Sequence, residues 1–147
     1  MKSIDESFCS DIVNLRIAEV TYKLNLTDEA LEALLMCEKT IKTKDKYMVH
    51  ILRGKCYDKV KNYISAVDEY MAALSASKSL TLSNLIAGNM QFRLGWSRIR
   101  AKRDVEKGIA DMEVAAKFIP DNFEILLKLA GAIFLELPDN NENNLKV

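Results

Sequence analysis

The stretch Gly54-Lys55-Cys56-Tyr57, followed by Tyr63-Ile64-Ser65-Ala66-Val67-Asp68-Glu69-Tyr70-Met71-Ala72-Ala73-Leu74, decides the fold. Gly54 and Tyr57 lie three apart and so share one face of a helix. Tyr63, Ala66, Tyr70 and Ala73 step by three, four and three, which draws a stripe along a second helix. Between them Asp58 to Asn62 is polar and short, enough to turn an antiparallel hairpin. Small residues (Gly54, Ala66, Ala73) alternate with large ones (Tyr57, Tyr63, Tyr70), as two closely packed helices require if ridges are to find grooves. The stretch specifies packing and carries no chemistry of its own.

This pattern closely resembles the tetratricopeptide repeat: a small residue, an aromatic three on, then Ala, aromatic and Ala at this spacing. The pattern recurs on either side. Ala30, Leu34 and Cys37 repeat the spacing of Ala66, Tyr70 and Ala73, with Ala18 in the place of Gly54 and Thr21 in that of Tyr57. Ala30 to Ala66 spans 36 residues, against the family's repeat of about 34, and the excess falls in the Lys39 to Lys46 connection. Downstream, Gly108, Met112 and Ala115 stand for Ala66, Tyr70 and Ala73, and Pro120 closes that helix because the residue before a proline avoids the helical region. Its first helix holds Phe92, Leu94, Gly95, Trp96 and Ile99, and either Gly95 or Trp96 takes the small-residue place. Ala66 to Gly108 spans 42 residues. The extra residues read as a longer first helix, roughly Leu80 to Ala101, since Leu80, Leu82, Leu85, Ile86 and Met90 are too apolar for solvent. That extension, 80–90, also offers a surface for a homodimer.

At the start of the chain, Ser3 and Glu6 have the spacing of a capping box. Two apolar lines follow, Phe8, Ile12, Leu15 and Tyr22 beside Val13, Ile17, Val20 and Leu24, and a helix apolar on two lines is expected to pack against two neighbours. Asn25 to Glu29 offers a turn, an N-cap and acids in a first turn. After Pro120, a cap-and-acid spacing opens a last helix through Ile125, Leu129 and Ile133 to Leu137, where Pro138 stops it. This helix would cover the apolar face of the third repeat, as terminal caps of helical stacks do. The expected fold is therefore all-α, a right-handed superhelix of three antiparallel helix pairs plus a C-terminal capping helix. It forms one domain over 1–138, with repeats at about 8–44, 45–78 and 80–120, a capping helix at 121–137 and a polar tail at 139–147.

Composition narrows the function. The 147 residues are 49% apolar and 29% charged, with two prolines and five glycines, which suits a helical protein with solvated outer faces. Twenty-one basic side chains balance twenty-one acidic ones, against a protein built mainly to coat nucleic acid or an anionic membrane. Cys9, Cys37 and Cys56 are odd in number and lie within helical patterns, so they read as reduced, buried thiols rather than a disulfide framework. No signal peptide is visible, and the apolar run Leu129 to Leu137 is too short to span a bilayer. A soluble protein of the cytoplasm, or the nucleus, is expected.

An enzyme needs convergent acids, bases or nucleophiles. His50 sits between Val49 and Ile51 with no Ser or Cys at a useful spacing, and a plain helical histidine explains it. Asp28-Glu29, Asp68-Glu69 and Asp111 with Glu113 fit solvated faces or dipole capping. There is no glycine-rich phosphate loop, no Cys-x-x-Cys and no His-Glu-x-x-His. No catalytic residue, metal site, cofactor or small-molecule substrate is expected. The most uneven charge is the cluster Arg93, Arg98, Arg100, Lys102, Arg103 and Lys107, which reads as a solvated face, an attractor for an acidic protein or, beside Trp96 and Phe92, a nucleic-acid surface.

The resemblance implies a scaffold or adaptor whose first helices line a concave groove holding a peptide or helix of another protein. By position the lining would be Leu15, Glu19 and Tyr22 from the first repeat, and Met48, Ile51, Lys55 and Asp58 from the second. The third would add Arg93, Ser97 and Arg100 if Trp96 takes the small-residue place, and the cap Leu127, Gly131 and Phe134. Members that bind chaperone tails clamp a terminal carboxylate with Lys and Asn. Leu15, Glu19 and Leu52 stand where those are needed, which argues against such tails. A narrower likeness runs through Gln91-Phe92, Trp96, Ile99-Arg100, Lys102 and Lys107-Gly108-Ile109, which look like the first repeat of the mitochondrial fission adaptor family. That family has two repeats and a C-terminal membrane anchor, whereas this sequence reads as three repeats without one.

Overall fold

A computed structural model describes residues 6–135 of the chain. Seven α-helices follow one another: α1 (Glu6–Lys23), α2 (Thr27–Glu38), α3 (Lys46–Lys59), α4 (Tyr63–Ala76), α5 (Asn84–Arg100), α6 (Val105–Phe118) and α7 (Phe123–Leu135). There is no strand among the described residues, and the architecture is all-α. The chain forms two compact units whose boundary, between Thr81 and Leu82, falls at the end of the second repeat. The first holds the pairs α1/α2 and α3/α4, and the second holds α5/α6 and α7.

Each hairpin is closed by a turn with a left-handed residue: Asn25, Lys61 and Lys102 have φ values of 63°, 62° and 55°, and the third turn adds Asp104 at 57°. In each turn the next amide reaches back to a carbonyl in the last helical turn: Leu26 to Thr21, Asn62 to Tyr57 and Arg103 to Arg98. This closure satisfies carbonyls that a helix end leaves open. None of the three positions is glycine. Asn25 tolerates the left-handed region through its short polar side chain, whereas at Lys61 and Lys102 the helices being joined set the conformation.

Side-chain caps open three helices: Asn62 accepts from the Ser65 amide, Ser83 from Ile86 and Asn122 from Ile125. The cap expected between Asn25 and Glu29 is not made that way. Leu26 holds the capping position, with no side-chain bond, because Asn25 is used in the turn. Ser3 of the expected capping box lies outside the described residues. So do the polar tail and the last two residues of the expected final helix, which is described from Phe123 to Leu135.

The pairs close on small residues. In the first, Ala18, Ala30, Leu34 and Cys37 form one core cluster with Val49, Leu52 and Cys56 of α3. In the second, a β-carbon added to Gly54 would lie 2.6 Å from the Tyr70 ring, so glycine is what lets the aromatic in. Tyr70 is fully buried, and its hydroxyl donates to Asp58 at 2.7 Å. In the third, a β-carbon on Gly95 would lie 2.5 Å from the Gly108 carbonyl oxygen, and one on Gly108 would lie 2.7 Å from the Gly95 oxygen. The α5 and α6 backbones touch at this crossing. Around it Phe92, Ile99, Ile109, Met112 and Ala115 bury together with Ile125 and Ala132 of α7. The last helix thus covers the third pair.

The long connection before α5 differs from expectation. Helix begins at Asn84, not Leu80, because Ser83 is extended and caps the first turn. The extra helical length is held by α6: a β-carbon on Gly88 would strike the Ile119 side chain at 2.5 Å. Leu85 remains exposed.

Candidate groove lined by the first helices

Two facts fix the register of the third repeat. Gly95, not Trp96, makes the close backbone crossing. The left-handed turn residue Lys102 also lies 41 residues beyond Lys61, the same step that separates Gly95 from Gly54. Position by position, Ile51 then corresponds to Phe92, Lys55 to Trp96 and Asp58 to Ile99. Arg93, Ser97 and Arg100 fall instead at the places of Leu52, Cys56 and Lys59. Ser97 is fully buried, as Cys56 is, so it lines no groove. The one-residue ambiguity arose because Gly and Trp are adjacent and either fits a helical pattern; only the backbone contact separates them.

In the first unit, α1 and α3 bring Leu15 and Met48 together. With Ile12, Ile41, Asp11, Lys42 and Asp45 they line a pocket of about 90 Å³. Four of the lining side chains are apolar and three are charged, a lining that suits an apolar side chain of a ligand. Ile12 and Ile41 are additions to the expected lining. Ile41 lies in the connection between helices, where no helical period could place it. Further along, Lys59 lies over the Tyr22 ring at 3.9 Å from its centroid and donates to the Tyr22 carbonyl, so the aromatic is pinned. Glu19 accepts from Arg16 at 3.0 Å. Ile51 and Lys55 are half-buried. Asp58 holds the Tyr70 hydroxyl, which makes it part of the α3/α4 packing.

In the second unit, Trp96 of α5 is half-buried and packs against the core cluster that holds Phe92. The Lys128 ammonium of α7 lies 4.7 Å from the Trp96 centroid and 5.8 Å from that of Phe92. The Arg100 guanidinium lies 5.9 Å from the Trp96 ring. Sequence reasoning missed Lys128, because its position on α7 becomes meaningful only once that helix is docked. Arg98 leaves the basic cluster altogether: it is buried and donates to Asp111 of α6 at 2.5 Å. Burial pushes the Asp111 carboxyl above its usual range against the pull of Arg98. Leu127 and Phe134 are exposed and Gly131 is half-buried.

On α3, Arg53 bridges Glu38 of α2 at 2.6 Å and Glu69 of α4 at 3.4 Å, and His50 Nδ1 lies 2.8 Å from Glu69. The bond from Arg53 holds the Glu38 carboxyl below its ordinary range. This network ties three helices together and places His50 in a structural role. Burial pushes the Cys56 thiol up to about 11, and the Cys37 thiol upward as well. No group of three or more His, Cys, Asp or Glu able to hold a metal occurs among the described residues. No helix among them is long and apolar enough to cross a membrane.

These helix pairs, turns and small-residue crossings recur in solved structures. The first TPR domain of the human RPAP3 protein superposes with a TM-score of 0.74 at 18% identity, covering 89% of this chain and 95% of that one. The first TPR of Spaghetti (RPAP3), bound to the HSP90 peptide SRMEEVD, superposes at 0.70 and 18% identity, covering 84% and 92%. The fold is that of a tetratricopeptide repeat domain. No family model and no curated protein matches the sequence. In the terms of this fold, α1, α3 and α5 are the first helices of three repeats, and α7 occupies the place of the next first helix.

Proposed function

We propose that the chain is a non-enzymatic protein-interaction module, a scaffold or adaptor subunit that seats a peptide or helix of another protein along its first helices. The observation that carries this reading is the pocket between α1 and α3, where Ile12, Leu15, Ile41 and Met48 are left open to one apolar side chain. The second unit, taken by itself, offers a different surface. There Lys128, paired with Glu124 at 3.6 Å, and Arg100 stand around Trp96, a cationic and aromatic surface that suits an acidic residue on a ligand. A solved domain of the same fold holds the peptide SRMEEVD, which supports an extended acidic ligand as the class.

The partner differs from that tail. Where a carboxylate clamp needs Lys and Asn, Leu15 lines the apolar pocket, Glu19 is paired with Arg16, and Leu52 is buried. The peptide SRMEEVD is therefore expected to show no saturable binding.

The test is affinity capture from cell extract, followed by titration of the purified captured protein against three chains of equal helicity. These are the natural chain, Ile12→Asp, and Arg100→Glu/Lys128→Glu. Both variants alter surface groups, and each is expected to weaken binding tenfold or more. Equal affinity for all three chains would sink the proposal. Recovery of RNA alone would do the same and move the function to the basic stretch at 93–107.

A further inference from the structure

Among the described residues nothing covers the second apolar line of α1. Val13, Ile17, Val20 and Leu24 are 53%, 44%, 54% and 62% exposed, whereas Leu15 and Tyr22 of the first line pack against the core. The chain itself shows what such a line is for. In the 36-residue register, Val13, Ile17 and Val20 fall on Val49, Arg53 and Cys56 of α3. There Val49 and Cys56 are 1% and 0% exposed, in one cluster with Leu34 and Cys37 of α2, while Arg53 bonds Glu38 of α2. These positions receive a helix. On α1 the Arg53 place holds Ile17, so the line itself is aliphatic.

Charge selects the occupant. Arg16 and Lys23 lie along one flank of the stripe, and the Arg16 side chain is 76% exposed, with Glu19 as its pair. Arg16 stands where α3 has the buried Leu52, so a whole preceding helix pair of the kind seen here would bury a guanidinium. A second copy fits the aliphatic line but not its flank. In an antiparallel pairing about the stripe's midpoint, Val13 would face Leu24 and Ile17 would face Val20. Arg16 of one copy would then lie within about 3 Å along the axis of Lys23 of the other. Like charges would meet on the same edge.

We propose that this face of α1 docks a single amphipathic helix of another protein, with an aliphatic stripe and Asp or Glu on the flank that meets Arg16 and Lys23. The site is separate from the groove, so its failure leaves the groove untouched.

The probe is a lactam-bridged helical peptide with leucines at i, i+3, i+7 and i+10 and glutamates on both flanks, set against the same peptide with lysines on the flanks. Fluorescence anisotropy with the full chain is expected to show one-to-one binding, at least tenfold tighter for the glutamate peptide. Val13→Glu/Val20→Glu should abolish that binding. Arg16→Glu/Lys23→Glu should reverse the preference between the two peptides. All four residues are exposed, and equal circular dichroism checks each fold. Equal binding of both peptides, or binding lost with Ile12→Asp and kept in Val13→Glu/Val20→Glu, would overturn the proposal. So would a concentration-dependent dimer in sedimentation that Val20→Glu dissociates.

Discussion

At the scale of single residues, three small-residue crossings show how side-chain volume is matched across a helix pair. Ala18 sits in a cluster with Leu34, Gly54 admits Tyr70, and Gly95 meets both Met112 and the backbone of Gly108. The three sites differ in what can yield. A methyl at 54 presses on a ring, whereas a methyl at 95 presses on a carbonyl oxygen that belongs to a helix. Gly95→Ala is therefore expected to destabilise by about 2–3 kcal/mol from overpacking, despite alanine's helix advantage of up to about 1 kcal/mol. Urea unfolding followed by circular dichroism measures this, and a gain in stability would show that α5 and α6 do not cross at these glycines. Gly54 was legible from the sequence because its partners Tyr57 and Tyr70 are conspicuous. Gly95 was not, because Trp96 beside it fits the pattern equally well.

At the scale of elements, the pairs are joined by polar as well as apolar contacts. Arg53 holds Glu38 across α2/α3 and Glu69 across α3/α4. Glu38 has its pKa lowered first by the bond from Arg53, so its folded-state value lies below its unfolded one. The stabilisation is then present above the unfolded pKa and is lost as pH falls through the folded one. Glu38→Gln should lower stability at pH 7 by no more than about 1 kcal/mol, since the carboxylate is partly exposed. The difference from the natural chain should shrink steadily as the pH falls from 7 through the carboxylate range. A difference that stays constant over that range, read from urea midpoints, would mean that packing rather than charge is lost. None of this network was visible in the sequence: His50, Arg53 and Glu69 lie on two helices, Glu38 on a third, and only docking brings them within bonding distance.

At the scale of the whole molecule, the chain divides into two compact units, with the segment 77–83 as a non-helical link. Lys78 is exposed in that link. Brief trypsin treatment should cut there first and leave two helical fragments, which mass spectrometry would identify. A first cut inside α3 or α6 would contradict the division. The sequence by itself determined the number of helix pairs, their order and the small–large alternation that closes each one. Those features rest on local spacing: a helix turns every 3.6 residues whatever lies beside it. Only the tertiary structure decided the register of the third repeat, the joining of Ile41 to Ile12, Leu15 and Met48 in one pocket, and the placing of Lys128 over Trp96. It also decided that Leu15 and Tyr22 of α1 pack against the core while Val13, Ile17, Val20 and Leu24 stay exposed. Each of these depends on which surfaces meet across distant parts of the chain, and no local period records that.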